Sequence, residues 1–478
     1  MLKLGMAKQK MTPPAAHVNL AGQNFYRFST HVESDIYANA FAAESDGEQL
    51  IICSCDLVGI YESFLEEVKR LVSERGIGID PERIILCATH THTAPYVWGV
   101  TNANVTRSAY LPDGYSYTDT YEVDPSYWMG DKTGPYMAAC VAEAICAAWA
   151  KRQKGYFAPS FGRVPLAQCR RTAYKDGSAI NYGVANREDF ACIQGGVDTG
   201  MELLYLYDEA RKPMGVIANI ACPSQSVETC SYISSDFWGK ARDFIEAELG
   251  EDFVTVALCG AAGDMAPRDN VRRFWGFNPD YPRRSDAGEL YSVESCTDKG
   301  ETLAIEILRR LRKVTELKDY AEIRYHKSRT VTLPYLTITD AQYAAAKQEV
   351  LDYVENCGRT ELNDTDMGKL AVPLATIARY ENPDKEWDTP VHVARFDDIA
   401  FASNPFELFL EFGDRIKARS RATQTFLIQL SMARGAYLPT KLAQESGGYG
   451  AVPHVVKVGY DGGDILVEET LKRIADLF

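Results

Sequence analysis

Residues 84–95 read IILCATHTHTAP. Four apolar residues, Ile84 to Cys87, form a run short enough for a strand and apolar enough to be covered on both faces, as in a parallel sheet. The chain then delivers His90 and His92 beyond the strand's C-terminal end, where open α/β sheets place their ligands. Alternate residues of an extended segment share a face, so both imidazoles point the same way. Two imidazoles on one face suit a shared metal ion or substrate. Two structural histidines flanking a turn would look the same, and the chain has only seven His in 478 residues.

The strand has companions that set the fold class. Residues 50–55 and 216–220 are apolar strands, and residues 254–259 lead into the turn Gly260-Ala261-Ala262-Gly263-Asp264. Residues 61–75 carry Phe64, Leu65, Val68, Leu71 and Val72 on one helical stripe, stopped by Gly76. Residues 135–151 and 236–249 are further helices. This βαβ rhythm predicts a mixed α/β fold with a largely parallel sheet flanked by helices. Beyond Glu316 the rhythm breaks. Residues 322–335 alternate like an edge or two-sided strand, 341–354 and 464–477 are helical, and 391–402 form a hairpin around Asp397-Asp398. No internal repeat is visible. The expectation is a single domain over 1–478, with lid insertions near 100–134 and 268–294. The second insertion holds Arg268, Arg272, Arg273, Trp275, Phe277, Arg283 and Arg284, a rim able to hold a carboxylate or sulfate.

Composition excludes several functions. A net charge of −15 argues against nucleic acid and against an anionic membrane surface. No apolar stretch is long enough to span a bilayer, and the N-terminus has no secretory apolar segment. The twelve Cys form no C-x-x-C pair, and several lie inside apolar strands. That usage suits a reducing compartment, so a cytoplasmic location is expected. The partner is a small-molecule substrate, with a homo-oligomer left open.

With Met11-Thr12-Pro13-Pro14, the Thr-His-Thr-His run and the Gly263-Asp264 turn in order, nearly the whole chain resembles the neutral/alkaline (non-lysosomal) ceramidase family. It looks like that family's catalytic domain without the C-terminal immunoglobulin-like domain. The strand ending in Asp56 resembles a family strand, and ATHTHTAP resembles the T-H-T-H-S-x-P signature, with Thr93 in place of Ser. The resemblance implies a catalytic zinc held by two His, one Glu and one Tyr. His90, Glu407 in SNPFELF and Tyr437 in GAYLPT match three of those ligands. Cys222, in IACPS, stands where the second His belongs. Tyr449 follows Tyr437 by the twelve positions that separate the family's ligand and substrate-side tyrosines. Arg171 in AQCRRTAY resembles the substrate-side Arg. In GDMAPR, Ala266 replaces the Ser that ceramide cleavage requires.

The residues themselves permit the same chemistry. His, Glu and a Cys thiolate are ordinary zinc ligands, and zinc favours a Tyr phenolate. Zinc would bring a water's pKa to about 7 without a Ser nucleophile. His92 suits an oxyanion donor or general acid, Asp264 a proton carrier, and Trp98, Trp275 and Arg268 substrate contacts. Each has a plainer reading: Cys222 a packed thiol, Asp264 a turn cap, Glu407 a first-turn acid of its helix. The leading expectation is a zinc-dependent hydrolase of an amide or ester bond in a small polar substrate. A glycoside hydrolase using Asp264 and Glu407 is the enzymatic alternative, and a non-catalytic ligand-binding relative is the other.

Overall fold

A computed structural model describes residues 1–23, 25–98, 102–272 and 292–478. Three sheets dominate it, one of five strands and two of four, and four strands of each are wired alike. In the first, Lys3–Lys10, Tyr37–Ser45 and Glu48–Cys55 form an antiparallel meander. The helix Glu62–Glu74 then crosses over to Ile84–Ala88, which lies parallel to the third strand. In the second, Tyr156–Arg163, Gly200–Tyr207 and Pro213–Ile220 make the meander, and Asp236–Leu249 leads to the parallel Val254–Cys259. In the third, Ile323–Tyr325, Val393–Phe396 and Ile399–Ser403 are followed by Leu410–Arg419 and the parallel Gln424–Ile428. Each second-to-third-strand turn has a residue in the left-handed region: Asp46, Arg211 and Asp397, with φ of 51°, 63° and 55°. Side chains fill equivalent places with unrelated residues, so a repeat absent from the sequence is present in the topology.

One face of every sheet turns to a shared centre. Leu50, Ile52, Ile85 and Cys87 of the first sheet meet Leu204, Ile217, Val256 and Leu258 of the second and Phe396, Phe401, Phe426 and Ile428 of the third. The opposite faces pack on their own helices. Ile51, Cys53, Ile84 and Leu86 lie against Phe64, Val68, Met137 and Val141, the last two from helix Gly130–Ala150. Val216, Ala218 and Ala257 lie against Phe237, Trp238, Leu303 and Ile307, the last two from Val293–Leu311. Ala400, Ala402 and Leu427 lie against Phe412, Ile416, Leu466 and Ile474, the last two from Tyr460–Leu477.

The mixed α/β class is as expected, but parallel pairing does not dominate. Each of these sheets has a single parallel pair; the other pairs are antiparallel, two in the second and third sheets and three in the first, where Gln153–Lys154 adds to Lys3–Lys10. The cause is physical. A strand covered on both faces reads as an unbroken apolar run whichever way its neighbours point. Helical residues Asp340–Asn356, Asp364–Lys369 and Ala371–Glu381 form a separate cluster on which Tyr110, Leu111, Tyr115 and Tyr117 pack. The first insertion is thereby anchored, and Ser116–Tyr117 pairs in parallel with Glu361–Leu362. Most of the second insertion, with Arg273, Trp275, Phe277, Arg283 and Arg284, lies outside the described residues.

Among the described residues no helix is long and apolar enough to cross a membrane. All twelve cysteines are free.

Candidate functional site

A cavity of about 100 Å³ opens at the C-terminal ends of the parallel strands. His90, His92, Glu407, Tyr437, Tyr449 and Trp98 line it, with Tyr61, Tyr96 and Arg434. The loop after Ile84–Ala88 carries the two histidines. His90 sits at φ 70°, in the left-handed region that non-glycine residues rarely enter. Leu430, Met432 and Ala436, on the loop after Gln424–Ile428, share that conformation at φ 55°, 69° and 57°. Such strain persists only where the surroundings enforce it, and it gathers at functional sites.

The Nδ1 of His90 donates to the Val58 carbonyl at 2.6 Å. Its Nε2 is therefore the atom presented to the cavity, 3.3 Å from Glu407 Oε2 and 3.3 Å from His92 Nε2. A carboxylate facing an imidazole nitrogen needs positive charge on or between the two atoms. Burial alone would raise the Glu407 pKa, but His90, Tyr437 and Arg170 outweigh it and hold the group down to about 2. Tyr437, beside Glu407 through the short parallel pair Glu407–Leu408 with Tyr437–Leu438, donates to the carboxylate. Burial and then Glu407 hold its phenol proton well above the usual value.

His92 is enclosed differently. The Gln225 side-chain amide lies 2.8 Å from its Nε2, and a Glu228 oxygen lies 3.4 Å from Nδ1. Burial, then the neighbouring His90, drive its pKa well below the usual value, so the ring is neutral. Gly22, at φ 92°, lies against the imidazole; a Cβ there would come within 2.4 Å of His92 Cγ. Arg27, which the sequence reading missed, donates to the carbonyls of His92, Ala21, Glu228 and Cys230 and ties this loop to its neighbours.

Several sequence candidates take other places. Cys222 is not among the cavity-lining residues. It is 2% exposed and packs with Phe237, Trp238 and Cys259. Burial, then Cys259 and Asp236, push its thiol pKa well up, which disfavours the thiolate a metal needs. The same loop instead sends Gln225 and Glu228 to His92. Arg171 turns away from the cavity and donates to Gln194 Oε1 and the Gly447 carbonyl, each at 2.7 Å, clamping the segment before Tyr449. The neighbouring Arg170 takes the position expected of Arg171. Its buried guanidinium donates to the Tyr437 hydroxyl at 3.0 Å and the Gly263 carbonyl at 2.9 Å.

Arg268 is buried and donates to Glu228 Oε1 at 2.8 Å and the Gln225 carbonyl at 2.6 Å, so it supports the loop behind His92. Asp264 lies behind the cavity and accepts from the Leu410 amide at 2.8 Å, capping that helix from outside. Burial raises its pKa. Glu407 is thus the only carboxylate among the described lining residues. Among the described residues the pair of flanking carboxylates that glycoside hydrolysis normally uses does not line this cavity. Trp275 lies outside the described residues.

The donor atoms bear on whether a divalent ion belongs here. His90 Nε2, a Glu407 oxygen and the Tyr437 oxygen share one wall, and one imidazole, one carboxylate and one phenol oxygen are acceptable to zinc with a position left for water. Among the described residues no group of three His, Cys, Asp or Glu is arranged to hold a metal ion. This set contains only two of those types plus a Tyr. A three-residue set fits; a four-residue set including Cys222 does not.

No protein-family model and no curated protein sequence matches the chain. Solved structures do. A neutral ceramidase from Pseudomonas aeruginosa superposes with a TM-score of 0.68 at 18% identity, over 100% of this chain and 74% of the other. A ceramidase solved in complex with C2 gives 0.67 at 16% identity, over 100% and 75%. Three like-wired sheets, their strand ends gathered around His90 and Glu407, have the fold of the neutral ceramidases.

Proposed function

We propose that the chain is a hydrolase of an amide or ester bond in a small polar substrate, and that His90, Glu407 and Tyr437 hold a zinc ion. The observation that carries the reading is the His90–Glu407 contact. One nitrogen, fixed in orientation by Val58, faces an ionised carboxylate across 3.3 Å at the floor of a cavity. Likeness in fold to ceramidases supports hydrolysis as the reaction class. Ala266 removes a hydroxyl that ceramide cleavage requires, and a cavity of about 100 Å³ suits a small substrate.

The ion would supply a water activated near neutral pH and a positive charge for the carbonyl oxygen. His90 and Glu407 would hold it, with Tyr437 beside them. Arg170, always charged, favours loss of the proton from Tyr437 by standing 3.0 Å from its hydroxyl. His92, kept neutral by burial, has an unprotonated Nε2 that accepts from the Gln225 amide; it would take a proton there from the attacking water and pass it to the leaving group, while Gln225 and Glu228 hold its ring in place. Tyr449 stands at the mouth and offers its hydroxyl to the substrate.

A panel of short acyl amides and esters, assayed with and without chelator, tests the proposal. Cleavage that chelation abolishes and zinc restores is expected. Cleavage indifferent to chelator, or none on any member, contradicts it.

A further inference from the structure

Six arginines with well-defined surroundings reveal one exception. Arg27, Arg170, Arg171, Arg242 and Arg268 each spend their guanidinium on carbonyls, carboxylates or hydroxyls of the chain. Arg434 does not. It lines the same cavity and lies over the Tyr61 ring, 5.3 Å from its centroid. Among the described residues it has no hydrogen bond or ion pair, and its residue is solvent-exposed. The backbone that presents it is constrained, with Met432 and Ala436 on either side both at positive φ. Tyr61 stacks on Trp98, and Tyr96 meets Trp98 edge to face, so the guanidinium stands over a rigid aromatic wall.

We infer that Arg434 is a specificity-determining residue that receives a carboxylate of the substrate, so that the molecule cleaved is a small carboxylate-bearing amide or ester. The argument rests on the hydrolase reading of this cavity. A planar guanidinium offers paired N–H donors that match the two oxygens of a carboxylate. Stacking on Tyr61 holds that plane without consuming the donors. Glu407, the only lining carboxylate among the described residues, makes its contact with His90 rather than with Arg434. In a chain of net charge −15, an unpaired cation beside the reacting groups gives an anionic substrate a local attraction that the rest of the surface opposes. The aromatic wall then packs against the apolar part of the acyl chain.

Calorimetric titration of the metal-loaded protein with N-acetylglycine and with N-acetylglycinamide tests this without requiring turnover. Wild type should bind the carboxylate about tenfold more tightly than the carboxamide, as a hydrogen bond to a charged group implies. In Arg434→Gln that ratio should fall to about one, and in Arg434→Lys it should be intermediate, because the charge survives and the fork is lost. A ratio near one in wild type, or a ratio unchanged in Arg434→Gln, overturns the inference; the second outcome would place the carboxylate on another group. The ratio is taken within each protein, so a loss of stability cannot imitate it. Discrimination through Arg434 in a protein that cleaves no amide or ester would uphold the carboxylate site and defeat the hydrolase reading.

Discussion

The first and third sheets build the cavity; the second does not. Four strands of each sheet follow the same order and send loops to the same end. Yet no described lining residue comes from residues 153–311. The first unit gives His90, His92, Trp98 and Tyr61, and the third gives Glu407, Arg434, Tyr437 and Tyr449. The second unit stands one layer back. Its Arg170 holds Tyr437, its Gln225 and Glu228 hold His92, and its Asp264 caps the helix that follows Glu407. Gly263 lies so close to the Glu407 backbone that a Cβ would come within 2.3 Å of the Glu407 carbonyl oxygen. Topology alone therefore does not assign chemistry. Two units line the cavity, and one holds the residues that line it.

That division predicts which substitutions cost activity and which cost stability. The largest effect belongs to the first unit. His90→Ala should lower kcat/KM on a cleaved amide or ester by about 10³-fold, within the range for losing a group that acts directly on the reacting atoms, with little change in Tm. An activity within tenfold of wild type would remove His90 from the chemistry.

A comparable energy in a different currency belongs to the joint between units. Arg242, on the second unit's helix, makes a two-pronged buried pair with Asp56 at the end of a first-sheet strand, at 2.6 and 2.8 Å. Arg242→Met leaves Asp56 buried without its partner and should cost about 3–5 kcal/mol in urea unfolding. A loss below about 1 kcal/mol would show that the joint contributes little.

Supporting groups of the second unit should have smaller effects on turnover. Glu228→Gln should reduce kcat/KM about 10–100-fold, the range for groups that orient those at the reacting centre, chiefly through kcat. A pure KM effect would assign Glu228 to substrate binding instead.

The smallest effect lies outside the cavity. Buried His392, on the third sheet, has its pKa lowered to about 3, by burial first and then by Arg329. The unfolded chain takes up a proton below about 6.5 that the folded chain refuses. The stability His392 permits is thus full above that pH and declines as pH falls from about 6.5 toward 3. By pH 5 the loss from this group is about 2 kcal/mol. His392→Gln should flatten this part of the pH dependence, and an unaltered profile would refute the assignment.

Much of this was legible in the sequence, for reasons that explain what was not. Strand 84–88 and its histidines stood out because an apolar run and a period-2 pattern are local signals. The hairpin at Asp397 was equally local. Helix Gly130–Ala150 begins five residues before its expected start at 135 because Gly130 and Gly134 pack against the Trp98 and Val97 carbonyls, a tertiary cause. The threefold wiring was invisible because apolar residues of any kind fill the sheet faces. Cys222 was placed by alignment to a motif, but its loop redirects that side chain into the helix-backed core and spends later residues on His92. Arg170 and Arg171 were adjacent, and sequence alone gave no sign of which faced Tyr437. Arg434 carried no motif, and it stands out because it has no hydrogen-bond or ion-pair partner among the described residues.

Elemental analysis of protein purified without added metal, wild type beside Glu407→Gln, tests the centre of this account most directly. About one zinc ion per chain in wild type, lost in Glu407→Gln while Tm shows the variant folded, is the predicted result. Zinc absent from wild type even after incubation with it, or retained in full by the variant, would contradict the assignment of His90, Glu407 and Tyr437 as its ligands.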